Sequence, residues 1–161
     1  MQFKGHKVIV IGDTHDSPKI PKDRFLWIGK YIRDNRPDYI IHIGDFGSFD
    51  SLSSFQANNT QQGKLKDAYM VDILSLREAM KLLNKGMGTL DVPKHCTLGN
   101  HEFRVHRFEE SIPEIEGIMK NELYKSYHSN GWTTSDYGEI FFISGVGFTH
   151  CPKNIMGKEY G

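Results

Sequence analysis

The sequence is poor in the devices that staple small secreted proteins. It has two cysteines, Cys96 and Cys151, too few for a disulfide framework, so a reducing cytoplasm is the expected setting. No apolar run approaches the roughly 20 residues that span a bilayer, which argues against a membrane partner. The N-terminal MQFKGHKVIVIGDTHD has a short apolar patch that runs straight into Asp and His, without a long apolar region or a small-residue cleavage site. Charge of one sign is missing too: 20 Lys and Arg face 20 Asp and Glu. That balance disfavours attachment to nucleic acid or anionic lipid by bulk electrostatics. There is no internal repeat and no low-complexity tract. No G-x-G-x-x-G follows the first apolar run, which sets aside dinucleotide binding.

What is present fits a globular protein. The chain has 161 residues, 38% hydrophobic and 25% charged, and one domain over residues 1–161 is expected. That length buries a sizeable core without help from a disulfide or metal. The eight histidines are the feature to explain.

Hydrophobic patterning predicts an α/β fold. Lys7–Ile11 (KVIVI), Tyr39–Ile43 (YIIHI) and His95–Leu98 (HCTL) read as short buried strands. Asp23–Arg36 reads as a helix stopped by Pro37, and Lys64–Lys85 as a longer one, with Met70, Ile73, Leu76, Met80 and Leu83 on one face. The polar stretch Ser51–Gly63 reads as a long loop or a helix entry. Residues 103–127 read as one or two helices broken near Pro113. Trp132–Thr134, Glu139–Ser144 and Gly147–Thr149 read as short strands, expected to be antiparallel neighbours. Strand–helix alternation predicts a parallel sheet with ligands at its carboxyl ends.

Every polar cluster of interest falls at such an end. The first gives Asp13 and His15 (GDTHD), the second Asp45 (IGDFG), the third Asn100 and His101 (LGNHE), and the last His150 (GFTHC). Carboxylate, amide and imidazole donors suit Mn²⁺, Fe, Zn²⁺ or Co²⁺ better than an all-oxygen Ca²⁺ cage. Residues at i and i+2 of an extended segment point the same way, so Asp13 and His15 are expected to reach one ion together. Adjacent Asn100 and His101 are expected to point apart. Gly12, Gly44 and Gly99 are expected to permit tight turns and close backbone approach.

In this order, Asp13-x-His15, Gly44-Asp45, Gly99-Asn100-His101-Glu102 and His150 closely resemble the calcineurin-like metallophosphoesterases over residues 7–150. GNHEFRVHRF and FTHCPKNIMGKEYG are further similar to small phosphoesterases encoded by bacteriophages, which would place the chain in a host cytoplasm. The resemblance implies an α/β/β/α layered sandwich. It implies hydrolysis of a phosphomonoester or phosphodiester by in-line attack of a hydroxide held on two divalent ions. The ions would be Mn, Zn, Fe or Mg, with Mn favoured. Asp13 and His15 would bind the first ion and Asn100 and His150 the second, with Asp45 bridging both. His101 would protonate the leaving oxygen or stabilise the transition state. Arg104 is a candidate phosphate contact, because guanidinium matches phosphate oxygens. The partner would be a small phosphoester or a nucleic-acid phosphate, and a nuclease is a distinct subcase.

Two departures stand out. Many relatives carry an Asp where this chain has Ser48, and that Asp helps orient the catalytic His; Asp50 or Glu102 is the expected substitute. The family normally ends in G-H-x-H, and none follows His150, so the fold is expected to stop short at its C-terminus. A catalytically impaired binding or structural module is therefore the alternative. The remaining candidates read as ordinary: His42 and His95 as packed, His128 and His6 as solvated, Asp16 as turn-forming and Cys96 as a small buried hydrophobe.

Overall fold

A computed structural model of the chain describes residues 5–53, 68–152 and 157–158. The elements run β1 (Val8–Ile11), α1 (Asp23–Asn35), β2 (Tyr39–His42), a 3₁₀ turn (Asp50–Leu52), α2 (Tyr69–Met87) and β3 (Lys94–Thr97). They continue with α3 (Asn100–Glu110), a second 3₁₀ turn (Pro113–Ile115), α4 (Ile118–His128), β4 (Trp132–Ser135), β5 (Phe141–Ile143) and β6 (Val146–Phe148). The expected start of the long helix, residues 64–67, lies outside the described residues, as do 54–63 of the polar stretch and 153–156 and 159–161 of the final motif segment.

Local chemistry sets the boundaries. α1 ends where Arg36 turns left-handed (φ 44°) and its N–H closes on Ile32 O, just before Pro37. α2 ends at Gly88 (φ 65°). The break near Pro113 is real: α3 and α4 are separate helices on either side of the second 3₁₀ turn.

The main sheet is parallel throughout, in the order β1-β2-β3-β4. The expectation of an antiparallel β4 is therefore corrected. Trp132 pairs in parallel with Lys94 and Ser135 with Thr97, because α4 supplies the crossover that returns the chain in the same direction. Among the described residues only β5 and β6 pair antiparallel, joined through Ser144 and Gly145, both at positive φ, as a two-residue hairpin loop needs.

The core lies between sheet and helices. Phe25, Ile32, Ile40, Leu76, Met80, Leu83, Cys96, Tyr127 and Trp132 are almost wholly buried in it. Side chains alternate across a strand, so His95 faces away from the side that Cys96 faces. There its ring stacks on Phe141 at 3.7 Å, and this contact seats the β5–β6 hairpin against the sheet. With this arrangement His150, just past β6, returns to the carboxyl ends of β1–β3.

Candidate metal centre

Asp45 is the hub. It sits beyond β2 with its side chain buried, in a left-handed conformation (φ 51°) that follows Gly44 (φ 98°). Its Oδ1 accepts the backbone N–H of His101 at 2.9 Å, at the N-terminus of α3, where a carboxylate is electrostatically favoured. Its Oδ2 faces three imidazoles, 3.8 Å from Nε2 of His15, 3.8 Å from Nε2 of His101 and 3.5 Å from Nε2 of His150. Ligand atoms of His15, Asp45 and His101 all lie within 4.8 Å of one another.

The loops that carry these groups are held by backbone. His15 N–H donates to Asp45 O (2.9 Å), Asp16 N–H to Phe46 O (2.7 Å), and Ser48 N–H to Asp16 O (2.7 Å). The loop after β1 is thus zipped onto the loop after β2. The D-x-H geometry differs from the extended one expected, because His15 itself is left-handed (φ 44°). Asp13 is half-exposed, and its Oδ1 lies 3.8 Å from Nδ1 of His150.

His150 is the clearest ligand-type group. Its Nδ1 lies 2.8 Å from Ile43 O, a carbonyl that can only accept, so Nδ1 carries the proton. The Nε2 lone pair then faces Asn100 Oδ1 at 2.9 Å and Asp45 Oδ2 at 3.5 Å. Three lone-pair atoms converge without a proton between them when the Asn100 amide is placed this way. A cation is the natural partner for such a set.

His101 is oriented in a way the motif does not reveal. Its Nδ1 lies 2.7 Å from the backbone carbonyl of Ser48, which accepts the Nδ1 proton. Arg104 donates to the same carbonyl (2.8 Å) and to His101 Nε2 (3.1 Å). Neither expected substitute touches the ring. Asp50 instead lies 3.8 Å from Arg104, and Glu102 is buried elsewhere. The orienting group is therefore main chain, supplied by the residue whose side chain is shortened, and Arg104 is a positioning contact in this state. Asn100 Oδ1 meets His150 Nε2, and His101 meets Ser48 O through Nδ1 while its Nε2 lies 3.8 Å from Asp45 Oδ2.

Glu102 welds the two loops together. Its carboxylate accepts the N–H groups of Asp45 (3.0 Å), Gly47 (3.1 Å) and Gly99 (2.9 Å) and the hydroxyl of Tyr127 (3.0 Å). Close approach here depends on glycine. A Cβ on Gly99 would lie 2.1 Å from Asp45 Oδ1, and one on Gly44 would lie 2.6 Å from His150 Nδ1. Gly12 is corrected in this respect, as a Cβ there would meet nothing within 4 Å.

The remaining candidates have other work. Asp16 is not a simple turn residue: its buried carboxylate accepts from Ser75 Oγ (2.6 Å) and lies 3.3 Å from Lys22 Nζ, tying the β1 loop to α2. His42 is packed, stacked on Phe46 at 4.6 Å, with burial first and nearby His150 and His15 next pushing its pKa down to about 3. His95 is held between Thr133 Oγ1 (2.7 Å) and Ser135 Oγ (2.8 Å). His106 meets the Tyr124 hydroxyl, outside the cluster.

Among the described residues no helix is long and apolar enough to cross a membrane. A family model described as calcineurin-like phosphoesterase matches residues 6–156. No curated protein matches the chain.

Proposed function

The chain belongs to the calcineurin-like phosphoesterase family, and from that premise we propose that it hydrolyses a small phosphoester with two divalent cations at its strand ends. The family's general chemistry is metal-dependent phosphoester hydrolysis. The observation that supports this reading most is the set around Asp45 Oδ2, with three imidazole nitrogens within 3.8 Å. In this reading Asp13 and His15 hold one cation and Asn100 and His150 the other, with Asp45 between them. Mn²⁺ suits the mixed oxygen and nitrogen donors. Divalent cations bound there would acidify water and offset charge on the phosphate oxygens.

The chain's own groups do the rest. Ser48 O holds the Nδ1 proton of His101, which leaves Nε2 as the atom that exchanges a proton with the leaving oxygen. Arg104, which donates to His101 Nε2, is the proposed contact to the phosphate oxygens, because its guanidinium fork matches them. Zero net charge favours a small phosphoester over a polymer, so the nuclease subcase ranks second.

The test is a metal count and an assay of p-nitrophenyl phosphate and its bis ester with millimolar Mn²⁺. Two ions per chain and turnover are expected. Asp45→Asn should lower kcat at least a hundredfold, because it weakens the shared ligand. Bound metal without turnover would mark the chain as a binding module, and absence of both would overturn the proposal.

A further inference from the structure

We infer that the groove leading from the metal centre along α3 is a second phosphate subsite, so that the substrate is a nucleotide bearing a phosphate besides the one cleaved. The inference rests on the phosphoesterase reading, which places the scissile phosphate at Asp45.

A cavity of about 420 Å³ adjoins the cluster, a size in the range of small-molecule sites. Asn100, Phe103, Arg104, Arg107, Phe108 and Tyr137 line it. The five from α3 are spaced three and four apart, so they form one face of that helix. Asn100 belongs to both sites: it lines the cavity, and its Oδ1 meets His150 Nε2 at 2.9 Å. With a rise of about 1.5 Å per residue, Arg107 stands roughly 10 Å along the helix from Asn100. An anion at Arg107 is therefore distinct from one at the cluster, yet one small molecule can touch both.

The two guanidiniums are not equivalent. Arg104 is engaged by Ser48 O and His101 Nε2, with Asp50 at 3.8 Å. The exposed side chain of Arg107 has no hydrogen-bond or ion-pair partner among the described residues. A guanidinium on a cavity wall, facing no carboxylate there, presents a fork that matches phosphate oxygens. The same cavity carries a stacked aromatic pair, Phe103 and Tyr137, with centroids 5.2 Å apart. Such flat apolar surface suits a nucleobase. A long nucleic acid would need a broader basic track than these two residues on a chain of zero net charge.

The experiment compares ADP and adenosine 3′,5′-bisphosphate with p-nitrophenyl phosphate, in the Mn²⁺-loaded wild type and in Arg107→Gln. The nucleotides should be preferred. Arg107→Gln should lower their kcat/KM relative to p-nitrophenyl phosphate about tenfold, mainly through KM. Calorimetric affinity for ADP, set against inorganic phosphate, should fall in step. Turnover of p-nitrophenyl phosphate with no nucleotide preference, or an unchanged ratio in the variant, would overturn the subsite alone. If neither the p-nitrophenyl esters nor the nucleotides are turned over, the phosphoesterase reading fails, and the calorimetry decides the subsite by itself: equal ADP affinity in both proteins overturns it. A single-stranded oligonucleotide that outcompetes ADP would overturn the small-nucleotide assignment.

Discussion

Glu102 is wholly buried, and every partner of its carboxylate is a donor: three backbone N–H groups and the Tyr127 hydroxyl. Burial and then the Asp45 charge push its pKa up, while those donors pull it down, and the net direction is upward. What the residue does for the site is mechanical. It fixes the Asp45 loop against the first turn of α3, so that Asp45 and Asn100 keep their spacing. Glu102→Gln keeps the shape but turns an acceptor into an NH₂ that faces N–H donors. The expected loss is roughly 2–4 kcal/mol of stability. It should appear as a lower urea midpoint at unchanged slope, together with weaker Mn²⁺ binding by calorimetry. An unmoved midpoint would show that the carboxylate is dispensable. The residue scale also separates what the sequence makes visible from what it hides. Asp13, His15, Asp45, Asn100 and His150, the proposed ligands, can be picked out because ligand chemistry would require particular side chains. Ser48 cannot, because its contribution to His101 is a backbone carbonyl, and any residue carries one.

At the scale of elements, the legible features are those with a long enough pattern. The face of α2 formed by Ile73, Leu76, Met80 and Leu83 is buried as its spacing implies, although Met70 near its start stays 44% exposed. Four residues of β4 carry too little pattern to fix a direction, and it is the helix before them that sets it. A close helix contact is also hidden in the pattern. α1 and α2 meet at Gly29 and Gly86, where a Cβ on Gly29 would lie 2.1 Å from Leu83 O and one on Gly86 2.4 Å from Leu26 O. Helix propensity alone says that Gly29→Ala gains about 1 kcal/mol. The packing says the reverse, because both obstructing atoms are backbone and cannot rotate away. We expect Gly29→Ala to lower stability by about 1–3 kcal/mol, the usual cost of overpacking. Thermal denaturation reads the sign directly, and a raised Tm would mean that the two helices part without penalty.

Over the whole molecule, zero net charge conceals an uneven distribution of ionisable groups. Carboxylate and imidazole gather at one end of the sheet, while two further histidines are kept neutral inside. Burial holds His42 at a pKa of about 3 and His95 at about 4, against 6.5 for a free histidine. Between those values and 6.5 the unfolded chain binds protons that the folded chain refuses. Stability is therefore fully present above about pH 6.5 and declines as pH falls toward 4. Each such group steepens the fall by at most about 1.4 kcal/mol per pH unit. His95 is the cleaner probe, since it lies away from the metal-type ligands, between Thr133, Ser135 and Phe141. His95→Gln keeps a polar group beside the two hydroxyls but does not titrate. Urea midpoints at pH 7, 6 and 5 should therefore fall less steeply in His95→Gln than in the wild type, even if the variant starts lower at pH 7. Parallel lines for the two proteins would mean that His95 takes up its proton in the folded state as readily as in the unfolded chain, and that the Phe141 stack does not keep it neutral.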